Sequence, residues 1–142
     1  MTRHPHDDHV WLSGAGLLSD LPDGVDAVVS LCRLGVNDVP RPAVGVGDHV
    51  EVWLVDDGNP DENPNLDFVL NDAASAVAAF RREGKTVLLH GVQAQNRTPT
   101  VAALYGARLA GHTALTCLGH IQQVLPDARP NSAMLDALHR LS

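Results

Sequence analysis

The chain has 142 residues, 44% of them hydrophobic, which suffices for one domain with a proper core, and a single domain over residues 1–142 is expected. Aromatics make up only 4%, so the core must be built from Val, Leu and Ala, which suits helices packed on a buried sheet. A formal net charge of −7 excludes a nucleic-acid surface or an anionic membrane as the main partner, and it leaves room for a small basic pocket.

Residues 1–9 bring His4, His6, Asp7, Asp8 and His9 close together, donors that could hold a divalent metal. The segment lacks hydrophobic anchoring, however, and reads as a flexible tail, so neither a metal nor a cofactor is expected. It also lacks the basic stretch and apolar core of a secretory leader, and no apolar run reaches membrane-spanning length, so a soluble cytoplasmic protein is expected.

Val10 to Ser13 is the first predicted strand, and Gly14-Ala15-Gly16 reads as a structural turn into a short helix ending near Pro22. Val25 to Cys32 is an apolar run between Asp23-Gly24 and Gly35, as in a strand buried on both faces. Gly35 to Gly47, with Pro40 and Pro42, reads as an irregular connection. His49 to Val55 then alternates as a strand up to Asp56-Asp57-Gly58, and Gly58 to Pro64 is a surface loop by composition. From an Asn65 N-cap, Leu66, Val69, Leu70, Ala73, Ala74, Val77 and Phe80 recur at helical steps, with Gly84 at the terminus. Val87 to His90 is a short apolar strand. Thr98-Pro99 opens a helix that continues to Gly111, and two more are predicted at Thr113 to Leu125 and Ser132 to Leu141.

The two cysteines, Cys32 and Cys117, lie in apolar runs and read as buried reduced thiols. There is no CxxC pair and no close histidine spacing of the kind that holds zinc.

Leu88 through Pro99 describes a strand that enters a short loop and then passes directly into a helix. Such a loop aims the backbone amides of Val92, Gln93, Ala94, Gln95 and Asn96 and the first helical amides at one point, and Arg97 adds a guanidinium fork for oxyanion oxygens. A Walker loop is excluded, because no Gly-Lys-Ser/Thr follows the turn.

His90, Arg97 and Thr98 stand in register with the signature of the cysteine-dependent protein tyrosine and dual-specificity phosphatases: His-Cys, five residues, Arg, then Ser or Thr. The aspartate-bearing loop, amphipathic helix, Gly84-Lys85 turn and signature strand follow in that family's order, so the chain resembles it most clearly from Val25 to Gly111. Two positions depart. Gly91 occupies the place of the nucleophilic cysteine, and Ala94 that of a common loop glycine.

The resemblance implies a three-layer α/β fold, with a central, mostly parallel sheet of four to five strands flanked by helices and a phosphate-binding loop between strand and helix. It implies phosphomonoester hydrolysis through a cysteinyl-phosphate, with the loop amides and Arg97 holding the transferring group. His90 would position the loop, Thr98 would hydrogen-bond the sulfur, and Asp57 would act as general acid, with Asp56 or the more remote Asp61 as alternatives. Arg33 and Arg41 could flank the mouth. The implied ligands are a phosphorylated protein or small phosphomonoester, and a phosphate or sulfate ion in the loop.

With Gly91 in place the chain is expected to be catalytically dead. It is then either a phosphatase-type domain that has lost its nucleophile or a pseudophosphatase that binds a phosphorylated partner without cleaving it. A different hydrolase or isomerase on the same scaffold is a third class. Neither Cys32 nor Cys117 is expected near Arg97.

Overall fold

The computed structural model describes residues 1–14, 21, 23–34, 44, 46–55 and 57–141. Five strands, β1 (Thr2–His4), β2 (Asp7–Gly14), β3 (Ala27–Ser30), β4 (His49–Glu51) and β5 (Val87–Gly91), form one sheet in the order β1-β2-β5-β3-β4. β1 pairs antiparallel with β2, and every other neighbour is parallel. Every residue of β3 and β5 is buried, as parallel strands covered on both faces must be.

Four helices follow the predicted periodicity: α1 (Leu66–Arg82), α2 (Arg97–Ala110), α3 (Ala114–Val124) and α4 (Ser132–Leu141). α1 buries Leu66, Leu70, Ala73, Ala74, Val77 and Phe80. α2 is the central helix, buried from Arg97 through Ala107, and it ends where Gly111 turns left-handed at φ 74°. Alternation along the strands divides the core. Val10, Leu12, Ala27, Val29, Val87 and Leu89 join the helices in one cluster, and Val28 and Leu88 pack with Val44 in another. The expected fold class is therefore observed as a mixed five-stranded sheet with flanking helices.

Three expectations need correction. Residues 1–9 are not a tail: they supply all of β1 and the start of β2. Their anchors are polar, which is why a search for hydrophobic anchoring passed over them. The buried His4 bonds through Nε2 to the Ala102 carbonyl at 2.8 Å, and Asp7 accepts from Tyr105 Oη at 2.7 Å and from Arg81 Nε at 2.9 Å. Burial raises the Asp7 carboxyl, but the bonds from Tyr105, Arg81 and the His9 N–H together outweigh it and hold the group below its ordinary range. The strand predicted over His49–Val55 stops at Glu51, because the Val55 amide bonds to the Asn63 side chain and Leu54 N–H turns back to the Val52 carbonyl. Cys32 lies two residues beyond the carboxyl end of β3, which the strand order sets beside β5, so it is on the same end of the sheet as the 92–96 loop. The short helix expected up to Pro22, Arg41 and Asp56 lie outside the described residues.

Candidate phosphate-binding site

The strand order puts β5 between β2 and β3, so the loop that leaves its carboxyl end emerges from the middle of the sheet. Gly14 at the end of β2 is opposite Gly91. A Cβ on Gly14 would stand 3.1 Å from the Val92 carbonyl oxygen, so glycine there lets β2 approach the loop closely. Outside contacts fix the far side: the Gln95 carbonyl accepts from Arg129 N–H at 2.6 Å, and Asn96 Oδ1 accepts from Asn131 N–H at 2.8 Å. The Asn96 side chain is therefore a staple between the loop and the start of α4. Among the described residues, no hydrogen bond takes up the backbone N–H of Val92, Gln93, Ala94 or Gln95.

Arg97 opens α2 and is only 7% exposed. Its Nη1 donates to the Leu54 carbonyl at 2.8 Å, which fixes the guanidinium against the segment following β4. Its Nε is buried, has no hydrogen-bond partner among the described residues, and lies 3.7 Å from the place a Cβ on Gly91 would occupy. A buried guanidinium N–H without an acceptor costs stability unless an anion completes it. The arginine is thus held by one nitrogen and presents another toward the loop.

His90 is fully buried at the end of β5. Its Nε2 is 2.6 Å from Ser30 Oγ, which is also 2.9 Å from His49 Nε2. One hydroxyl thus joins two imidazoles across β5, β3 and β4. Burial pushes His90 down to about 4, opposed by the Gly91 backbone and reinforced by the charges of His49 and Arg97, so the ring is neutral at pH 7. Among the described residues its Nδ1 has no side-chain or backbone partner within hydrogen-bond geometry.

Thr98 is buried, and its Oγ1 donates to the Ser13 carbonyl at 3.4 Å while standing 3.4 Å from the hypothetical Gly91 Cβ. That separation is ordinary van der Waals contact. Position 91 therefore has room for a Cβ, and its backbone is not in the left-handed region.

Asp57 is exposed, and its Oδ1 accepts from the Asn59 N–H at 2.8 Å in an Asx turn, three residues beyond the Leu54 carbonyl that holds Arg97. Arg33 lies 4.1 Å over the exposed Trp53 ring, beside Leu54 in sequence. The structure thus brings Arg97 and Thr98 within 3.4–3.7 Å of a Cβ position on Gly91, buries His90 just before it on β5, and leaves Asp57 on the segment beyond Leu54. Sequence reading did not identify Ser30, His49, Gly14 or the Leu54 carbonyl. Only Ser30 and His49 carried any signal, as polar side chains on or beside apolar strands.

No family model matches the chain. Over 80 residues, 56% of its length, it is 26% identical to dual specificity protein phosphatase 1 of Arabidopsis thaliana, and it spans about 40% of the length of that relative. The structure superposes on human DUSP28 with a TM-score of 0.78 at 21% identity, covering 99% of this chain and 94% of that one. A mouse putative dual specificity phosphatase complexed with zinc tungstate gives a TM-score of 0.76 at 21% identity, covering 99% and 87%. The fold is that of the dual-specificity phosphatases. No helix among the described residues is long and apolar enough to cross a membrane.

Proposed function

We propose that this chain is a single-domain member of the dual-specificity phosphatase family that holds a phosphomonoester, on a phosphorylated protein or a small molecule, in the loop from Gly91 to Arg97 without hydrolysing it. The observation that carries this reading is the buried Nε of Arg97 beside Gly91, which has no hydrogen-bond partner among the described residues. A dianion there would accept from Nε and from the loop amides, completing donors that otherwise cost free energy.

Hydrolysis in the family begins when a thiolate forms an S–P bond as the ester oxygen leaves, and that oxygen takes a proton from the general acid, the role assigned here to Asp57. Glycine offers no electron pair for the first bond. The absence of a thiolate also removes a negative charge that would face the bound dianion, which favours retention of the ligand. A domain that binds a phosphorylated partner is the reading this change favours over an active phosphatase.

The test is titration of a phosphotyrosine peptide and of inorganic phosphate into the wild type, Arg97→Lys and Arg97→Ala. Loss of a charge-assisted, two-point contact should weaken binding by about 100-fold in Arg97→Ala, with Arg97→Lys between the two. Equal affinities in the wild type and a folded Arg97→Ala would end the reading.

A further inference from the structure

Far from the phosphate loop, the turn between β1 and β2 meets the carboxyl end of α2 and the first turns of α3. His6 stands in that turn, His112 follows α2, and Cys117 and His120 lie three residues apart on one face of α3. His6 Nε2 and His120 Nδ1 are 2.8 Å apart, and the ligand atoms of His6, Cys117 and His120 all lie within 4.8 Å of one another. The exposed His112 ring is 5.5 Å from both the His6 and the His120 rings and borders the open side of the group.

The surroundings organise these donors. His4 Nδ1 accepts from the His6 backbone N–H at 3.0 Å, so the His4 proton sits on Nε2 and goes to the Ala102 carbonyl at 2.8 Å. Both His4 nitrogens are spent, and its ring is a support under His6 rather than a ligand. Gly106 on α2 is what admits this arrangement, since a Cβ there would stand 2.5 Å from Cys117 Sγ and 2.6 Å from His4 Cε1.

We propose that His6, Cys117 and His120 form a zinc site that clips the β1–β2 hairpin to α3. Two imidazoles and a thiolate are a zinc donor set, and the metal binds nitrogen at about 2.0–2.1 Å and sulfur at about 2.3 Å. Tetrahedral donors are then about 3.3 to 3.7 Å apart, a spacing reached by small side-chain movements from the observed group. The His112 imidazole closes the fourth position. Binding displaces the Cys117 thiol proton to solvent and forms the Zn–S bond without any change of oxidation state. Its gain would be structural: β1 is a three-residue edge strand, and the clip would fasten it across 114 residues of sequence.

The experiment uses the full chain, stripped with a chelator and titrated with Zn²⁺ against a chromophoric competitor and, separately, with Co²⁺. The expected result is one tight Zn²⁺ equivalent and a tetrahedral Co²⁺ spectrum with a thiolate charge-transfer band. That band should vanish in Cys117→Ser, while His6→Ala and His120→Ala should each lower Zn²⁺ affinity by more than about 100-fold, beyond the cost of losing a supporting group. Should Cys117→Ser fail to fold, the two histidine variants, at half-buried positions, decide the matter. A folded wild type without the thiolate–cobalt band overturns the proposal. So does tight Zn²⁺ binding that survives in the folded double variant His6→Ala/His120→Ala, which would put the metal elsewhere on the chain.

Discussion

The two ends of α2 are separated by 14 residues, about 20 Å of helix, and they gather opposite chemistry in opposite ways. At the amino end, one continuous run from His90 to Thr98 supplies amides and a guanidinium suited to an anion. At the carboxyl end, His6, Cys117 and His120 come from distant parts of the chain and supply donors suited to a cation. Helix polarity favours the anion at the amino end. The contrast separates sites that a chain encodes locally from sites that only the completed fold assembles.

The sharpest way to break this comparison is to place a thiol at position 91, where the proposed reading puts the family's nucleophile. Gly91→Cys puts its Cβ 3.4 Å from Thr98 Oγ1 and 3.7 Å from Arg97 Nε, contacts the site accepts without rearrangement. Turnover of an aryl phosphate should rise above the wild-type background by roughly 10⁴-fold or more, the scale on which loss of a nucleophile is felt. Adding Asp57→Asn to that variant should remove about 100-fold of the gain, and an unchanged rate would move the acid's role to Asp56. A folded Gly91→Cys that binds phosphate but does not turn over would mean that the amino end of α2 is an anion site of another kind.

These two ends also explain what the sequence made legible. The four helices and the buried β5 were readable because their apolar residues repeat at helical or strand spacing, and the loop was readable because its donors are contiguous. The edge strand β1 and the start of β2 were missed because an imidazole contact of His4 and ion-pair and hydroxyl contacts of Asp7 hold them. Asp7 is fastened to Arg81 and Tyr105, and no local periodicity reports a partner 74 or 98 residues away. Ser30 and His49 were hidden for the same reason: their link to His90 follows from strand order, which periodicity does not reveal. The zinc donors carried one local sign, Cys117 and His120 at a three-residue step, but the third donor lies before the whole of the sheet's parallel part.

A smaller effect distinguishes the imidazoles at the two ends. Burial depresses His90 to about 4, so the folded state binds fewer protons than the unfolded state between that value and 6.5. Its contribution to stability is therefore complete above about pH 6.5 and is lost as the pH falls toward 4, by up to roughly 3 kcal/mol at about 1.4 kcal/mol per pH unit. Urea unfolding of the wild type and His90→Asn from pH 7 to 4.5 should give curves that diverge at neutral pH and converge in acid. Buried His4 is also depressed, chiefly by desolvation, and it contributes equally to both proteins, so the difference isolates His90. Parallel curves would mean that His90 is solvated and does not support the loop as a neutral ring.

The smallest expected effects come from one substitution made at two helix glycines beside the carboxyl-end cluster. Gly106 on α2 faces Cys117 Sγ and His4, and the Cβ of Gly106→Ala would stand 2.5 Å and 2.6 Å from them, so side chains or the helix itself must move. Overpacking of this kind costs about 1–3 kcal/mol. Gly119 on α3, between Cys117 and His120, has nothing within 4 Å of such a Cβ. Gly119→Ala should therefore express only helix propensity and stabilise by about 0.5–1 kcal/mol. Denaturant midpoints of the two variants should move in opposite directions while zinc affinity falls only in Gly106→Ala, whose added methyl displaces a ligand and the ring beneath another. If Gly106→Ala were neutral in both measurements, α2 and α3 would not meet as closely as the clip requires, and the carboxyl end of α2 would lose its claim to be a built site.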